Sequence, residues 1–129
     1  MPNGYHDVQS AARECKIVSG AFKPNGSSAI DNTVNKGVGW TVAYTSTGLY
    51  TVTLDRVYYG HYGVLLTLAM NALTDTQLQL GAIDLTAKTI LINAYNIDAE
   101  GAVSLVDIAA HANNWIHFAA FMKRTSLVR

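Results

Sequence analysis

From Lys16 onward the chain never sustains a helical period. No ten-residue stretch repeats apolar residues at the i, i+3, i+4, i+7 spacing that a helix packed on one side requires. Instead, short runs rich in Val, Ile, Thr, Tyr and Leu are cut by turn formers every eight to twelve residues. Eight such runs stand out, at 16–22, 38–45, 49–55, 64–70, 77–83, 88–96, 102–109 and 114–123. Strands this short and evenly spaced leave no room for crossover helices. The expected fold is therefore all-β: an antiparallel β-sandwich, jelly-roll-like, of about eight strands. It is expected to occupy 16–129 as one domain, with a short N-terminal arm over 1–15.

The pattern inside the runs assigns faces. In "VGWTVAYT" Trp40, Val42 and Tyr44 share one side, and in "LYTVTLD" Tyr50, Val52 and Leu54 share the side expected to face the core. The Ser-Thr-Gly between these runs predicts a tight hairpin turn, with Gly48 in a left-handed conformation. "VLLTLAM", residues 64–70, does not alternate; it is nearly all apolar, as in a strand buried on both faces. Residues 23–37 are dense in Pro, Asn, Gly and Ser and predict a long loop. Residues 56–63 predict a connection bearing a cluster of Tyr58, Tyr59, His61 and Tyr62.

The surface poses a problem for a lone chain. Only 14% of residues are charged, against about 25% in a typical soluble protein, while 50% are hydrophobic. Part of the exterior is expected to be covered by other subunits. Nine basic and nine acidic residues give zero formal charge, so there is no excess of cations for a nucleic-acid-binding face. Lys123, Arg124 and Arg129 make only the C-terminus locally basic, as expected of a solvated tail. The single cysteine, Cys15, excludes an intrachain disulfide framework and reads as a half-buried structural thiol. The N-terminus lacks a secretory pattern, and the longest apolar run is too short to span a bilayer, so no membrane partner is expected.

Residue types that carry chemistry are scattered. His6, His61, His111 and His117 have no Cys, Asp or Glu at metal-ligand spacing. His117, within "NWIHFAAF", is expected as a partly buried, hydrogen-bonded imidazole. The carboxylates Asp55, Asp75, Asp84, Asp98, Glu100 and Asp107 fall in turns or at strand ends, where they bond local backbone. There is no G-x-S-x-G and no phosphate-cradling glycine loop before a helix. The expectation is a non-enzyme with no cofactor and no metal. The side chains expected to make contacts with other subunits are Tyr5, His6 and Val8 in the arm, together with Trp40, Tyr58, Tyr59 and Tyr62. The tyrosine cluster suits either an interface or the face of a sugar.

"GLYTVTLDRVYYGHYGVLLTLAMN" (48–71) and "NWIHFAAFMK" (114–123) together resemble a pattern in small β-sandwich virion surface proteins of tailed bacteriophages. Gly48, Tyr50, Val52, Leu54, Phe118 and Phe121 are the matching positions. Head decoration, or cement, proteins and fibre-tip domains both use such sandwiches. The resemblance implies a homotrimer made in the host cytoplasm and placed on the capsid surface, with the phage major capsid protein as its partner. A fibre-tip reading implies a host-surface glycan as partner instead. The matched positions are fold positions, so the resemblance carries no catalytic residue.

Overall fold

A computed structural model describes residues 15–125 of the 129-residue chain. Eight strands follow in order: β1 (Cys15–Phe22), β2 (Trp40–Ser46), β3 (Leu49–Leu54), β4 (Gly60–Ala69), β5 (Gln77–Asp84), β6 (Thr89–Ile97), β7 (Val103–Leu105) and β8 (Trp115–Lys123). A single 3-10 turn, Asn32–Val34, interrupts the first long loop. Two antiparallel sheets form. One has the order β1-β8-β4; the other runs β2-β3-β6-β5, with β7 pairing the far end of β6. The antiparallel β-sandwich expected from the sequence is what forms. First and last strands lie side by side, as in a jelly roll, but β2–β3 and β5–β6 are hairpins that stay within one sheet. Of the expected arm over 1–15, Cys15 is already strand; residues 1–14, including Tyr5, His6 and Val8, lie outside the described residues.

Alternation does the sorting, because successive side chains on a strand point to opposite faces. On β3, Tyr50, Val52 and Leu54 are buried, as are Trp40 and Val42 on β2 and Ile90, Ile92 and Ala94 on β6. From the other sheet Ile116, Phe118, Ala120 and Met122 of β8 and Val18 and Phe22 of β1 face them. The centre is aromatic: Trp40 and Phe118 meet edge-on at 4.8 Å between ring centroids, and Phe22 lies 5.7 Å from Tyr50. Such pairs contribute about 0.5–1.5 kcal/mol each beyond the area they bury. Gly20 makes room for this nucleus, since a Cβ there would sit 2.4 Å from the Trp40 ring.

The β2–β3 hairpin turns through Thr47 and Gly48, whose φ of 68° is the left-handed value the sequence predicted. Its amide donates to Asp107 Oδ1 at 3.1 Å. The Tyr50 hydroxyl, at the hairpin's inner face, accepts from the amide of Ile108 at 3.4 Å. These bonds explain why the run 102–109 is strand only over Val103–Leu105. Asp107 and the buried Ile108 are drawn out of the sheet to cap the core. Asn114, 1% exposed, fixes the end of that loop: its Oδ1 accepts from the amide of Asn71, and its Nδ2 donates to Ala109 O.

Two other expectations are corrected. Strand β4 begins at Gly60, with a bulge between His61 and Gly63, so His61 and Tyr62 belong to a strand and not to the 56–63 connection. Moreover, β4 is not buried on both faces. It is the end strand of its sheet, and Leu65 keeps 64% of its surface exposed.

Candidate interaction surface

The residues singled out as contacts separate by burial. Trp40 is 7% exposed and spends its indole N–H on Ser19 O, at 3.3 Å, so in this chain it is a core residue. Tyr58 is also buried, at 4%, with the Arg56 guanidinium 5.6 Å above its ring. Burial raises its phenol above the ordinary tyrosine value. Both therefore leave the set of surface candidates: each ring has its apolar faces satisfied within the chain. Tyr59 and Tyr62, by contrast, are more than half exposed. His117 is exposed as well, against expectation, because Ile116 and Phe118 take the inward positions on β8 and leave it on the outer face.

Three surfaces deserve description. The first is a cleft of about 440 Å³ lined by Lys23, Pro24, Asn25, Asp31, Val34 and the 110–112 segment with His111. Asp31 sits in it as the cap of the 3-10 turn. Hydrogen bonds from the Thr33 hydroxyl and amide hold its carboxyl below the ordinary value. His111 Nδ1 accepts from the Asn113 amide at 3.0 Å, which places the proton of the neutral ring on Nε2. Each group is thus engaged by its own loop rather than by the other. Among the described residues no three His, Cys, Asp or Glu side chains gather as metal ligands.

The second surface is the outer face of the five-stranded sheet. Register places Thr41 beside Thr53 and Ala43 beside Thr51. It also sets Gln79 against Asn93 and Gln77 against Tyr95. The Tyr95 hydroxyl donates to Gln77 Oε1 at 3.3 Å. No charged side chain stands on these paired positions until Asp84, at the rim beside Thr89. The third surface is the outer face of the three-stranded sheet. Ile17 pairs with Phe121, and Ala119 lies between Ser19 and Leu65, giving an apolar middle. Its cations are at the ends: Lys123 at one, and Lys23 and Lys36 at the other, 5.6 and 4.6 Å from the centre of the Trp115 ring.

Sequence reasoning did not single out Ile17, Leu65 or Ala119. The run "FAAF" and the nearly continuous apolarity of 64–70 were the available signals, since residues apolar on both strand faces need cover on both. Compared with known proteins, the chain matches no family model, no curated protein and no solved structure.

Proposed function

We propose that this chain is a structural virion protein, a decoration or cement subunit that binds the outer surface of a phage head and clamps neighbouring coat subunits. The phage assignment and the coat partner come from the resemblance of 48–71 and 114–123. The observation that carries the mechanism is the lack of charge in the middle of the two outer sheet faces, where a lone soluble domain ordinarily keeps ionised side chains. On this reading the protein acts by surface complementarity, with no cofactor and no reaction. A subunit that binds only the assembled shell shifts the shell away from rupture, and many weak copies on a lattice hold by avidity. The resemblance implies threefold assembly at its seat on the head, with the N-terminal Tyr5, His6 and Val8 on the coat.

Imaging purified particles with a label on this chain tests the proposal. Regular density over the head is the expected result; label confined to a tail or fibre, or absent from particles, overturns it. One observation favours a second reading, glycan recognition by a fibre tip: Tyr59 and Tyr62 present exposed rings on either side of His61. Loss of binding to host-surface glycan on changing both tyrosines to alanine would favour that reading instead.

A further inference from the structure

We infer that β4 pairs edge to edge, antiparallel, with β4 of a second copy of this chain. Two open sheets have four outermost strands, β7 adds a fifth edge, and natural proteins blunt such edges to prevent pairing. β7 is blunted by its length of three residues, and three of the other four are blocked here. On β1, Ala21 exchanges both backbone hydrogen bonds with Lys36, at 2.9 Å each, and Ser19 O is taken by the Trp40 indole. On β2, the Asn32 side chain imitates a neighbouring strand, donating to Val42 O at 2.9 Å and accepting from Val42 N at 2.8 Å. On β5, a bulge between Leu80 and Ile83 breaks the register.

The fourth edge carries a bulge only at its start, between His61 and Gly63, and no such device beyond it. From Gly63 to Ala69, β4 holds seven consecutive register pairs with β8, and among the described residues no strand pairs its other side. That stretch, GVLLTLA, contains no charge and no proline. Val64, Leu66 and Leu68 pack inward against the core, and the outer positions Leu65, Thr67 and Ala69 place no charge in the way of a neighbouring strand.

The occupant follows from what surrounds the edge. Because the other edges are blunted or blocked, a head-to-tail ring built by strand pairing has no second edge to use; β4 against β4 is the remaining self-pairing, and it is twofold. An antiparallel pair sets the Gly60 end of each copy beside the Ala69 end of the other. The Gly60 end carries Lys123 and Arg56, with the exposed Tyr59 and Tyr62. Beyond Ala69 come Asp75 and the fully exposed Leu73. The cations at that second end, Lys23 and Lys36, are held over Trp115 on β8. Seven residues at about 3.4 Å give a seam about 24 Å long. With a sandwich about 20 Å thick, the contact covers about 1,000 Å² in total, the lower bound of a specific interface. A dimer of micromolar strength fits that size.

Sedimentation of the full chain from about 1 to about 100 µM tests this. The expected result is a monomer–dimer equilibrium reaching about 28 kDa, twice the 13.9 kDa chain. The double variant Leu65→Lys/Thr67→Lys places four like charges at the seam and should weaken the dimer about 100-fold or more. Both positions are exposed, so its circular dichroism should be unchanged. Thr41→Lys/Thr53→Lys, on the other sheet's outer face, should leave the dimer intact. If the β4 variant fails to fold, hydrogen exchange on the unmodified chain decides: dimerisation should protect amides of 63–69 and not those of β2. A wild-type monomer throughout overturns the inference, as does a trimer, a dimer indifferent to the β4 lysines, or one dissolved by the Thr41 and Thr53 lysines. A trimer would do so while leaving the virion assignment standing, since that rests on where the chain sits in particles.

Discussion

β3 and β4 are neighbours in sequence and alike in composition, yet they occupy opposite situations. β3 lies between β2 and β6, and its residues alternate strictly between core and exterior. β4 is flanked on one side only, and its outward positions include an apolar residue, Leu65, as well as Thr67. The lesson concerns what apolarity in a strand records. Alternation reports cover on one face within the chain, which the chain itself supplies. On β4 the chain covers Val64, Leu66 and Leu68 and leaves Leu65 exposed.

That contrast can be broken by substitution. The largest effect should come from Tyr50→Ala on β3, which empties the aromatic nucleus beside Phe22 and Tyr44. We expect a loss of about 3–5 kcal/mol in denaturant unfolding. Next is Asn32→Ala, which strips the side chain that closes the β2 edge. It should cost about 1–2 kcal/mol and, unlike the first variant, increase self-association, because it gives the molecule a second open edge. Light scattering that stays at the wild-type level would weaken the comparison of edges.

Tyr50→Phe should cost about 1 kcal/mol, since it removes only the hydroxyl that accepts from Ile108. It should also alter the response to alkali. Burial raises the Tyr50 phenol above its ordinary value of 10.0. A raised folded value contributes stability that is complete below pH 10 and fades as the pH climbs through the folded value. The phenylalanine variant should lose less stability over that interval, as read from denaturant midpoints at neutral and alkaline pH. The smallest effect belongs to β4: Leu65→Ala in dilute protein should shift stability by no more than about 0.5 kcal/mol, given its exposure.

Much of the architecture was legible because local pattern and tertiary demand agree in the hairpin strands. Trp40, Val42, Tyr50, Val52 and Leu54 declare their faces by alternation, and Gly48 marks the turn. The interaction surface was less legible. Tyr58 and Tyr59 are adjacent and chemically identical, yet one is buried and the other exposed; no periodicity in a connecting segment could tell them apart. His117 was misplaced because its apolar neighbours suggested burial, whereas the parity of β8 turns it outward. Asn32 escaped notice because a side chain standing in for a strand leaves no trace in hydrophobic pattern. Ile108 left its expected strand because Tyr50, 58 residues away, supplies a competing partner.

The 23–39 loop binds one flank like the spine of a book. Lys36 stitches it to the first sheet and Asn32 stitches it to the second, so the two leaves are sewn together along that side. The fore-edge, formed by β4 and β5, is held at one end, where the 70–76 link bonds Asn71 to Asn114 and Thr76 to Asn96. Thermal breathing should therefore part the leaves from the other end of the fore-edge inward, with the spine the last place to yield.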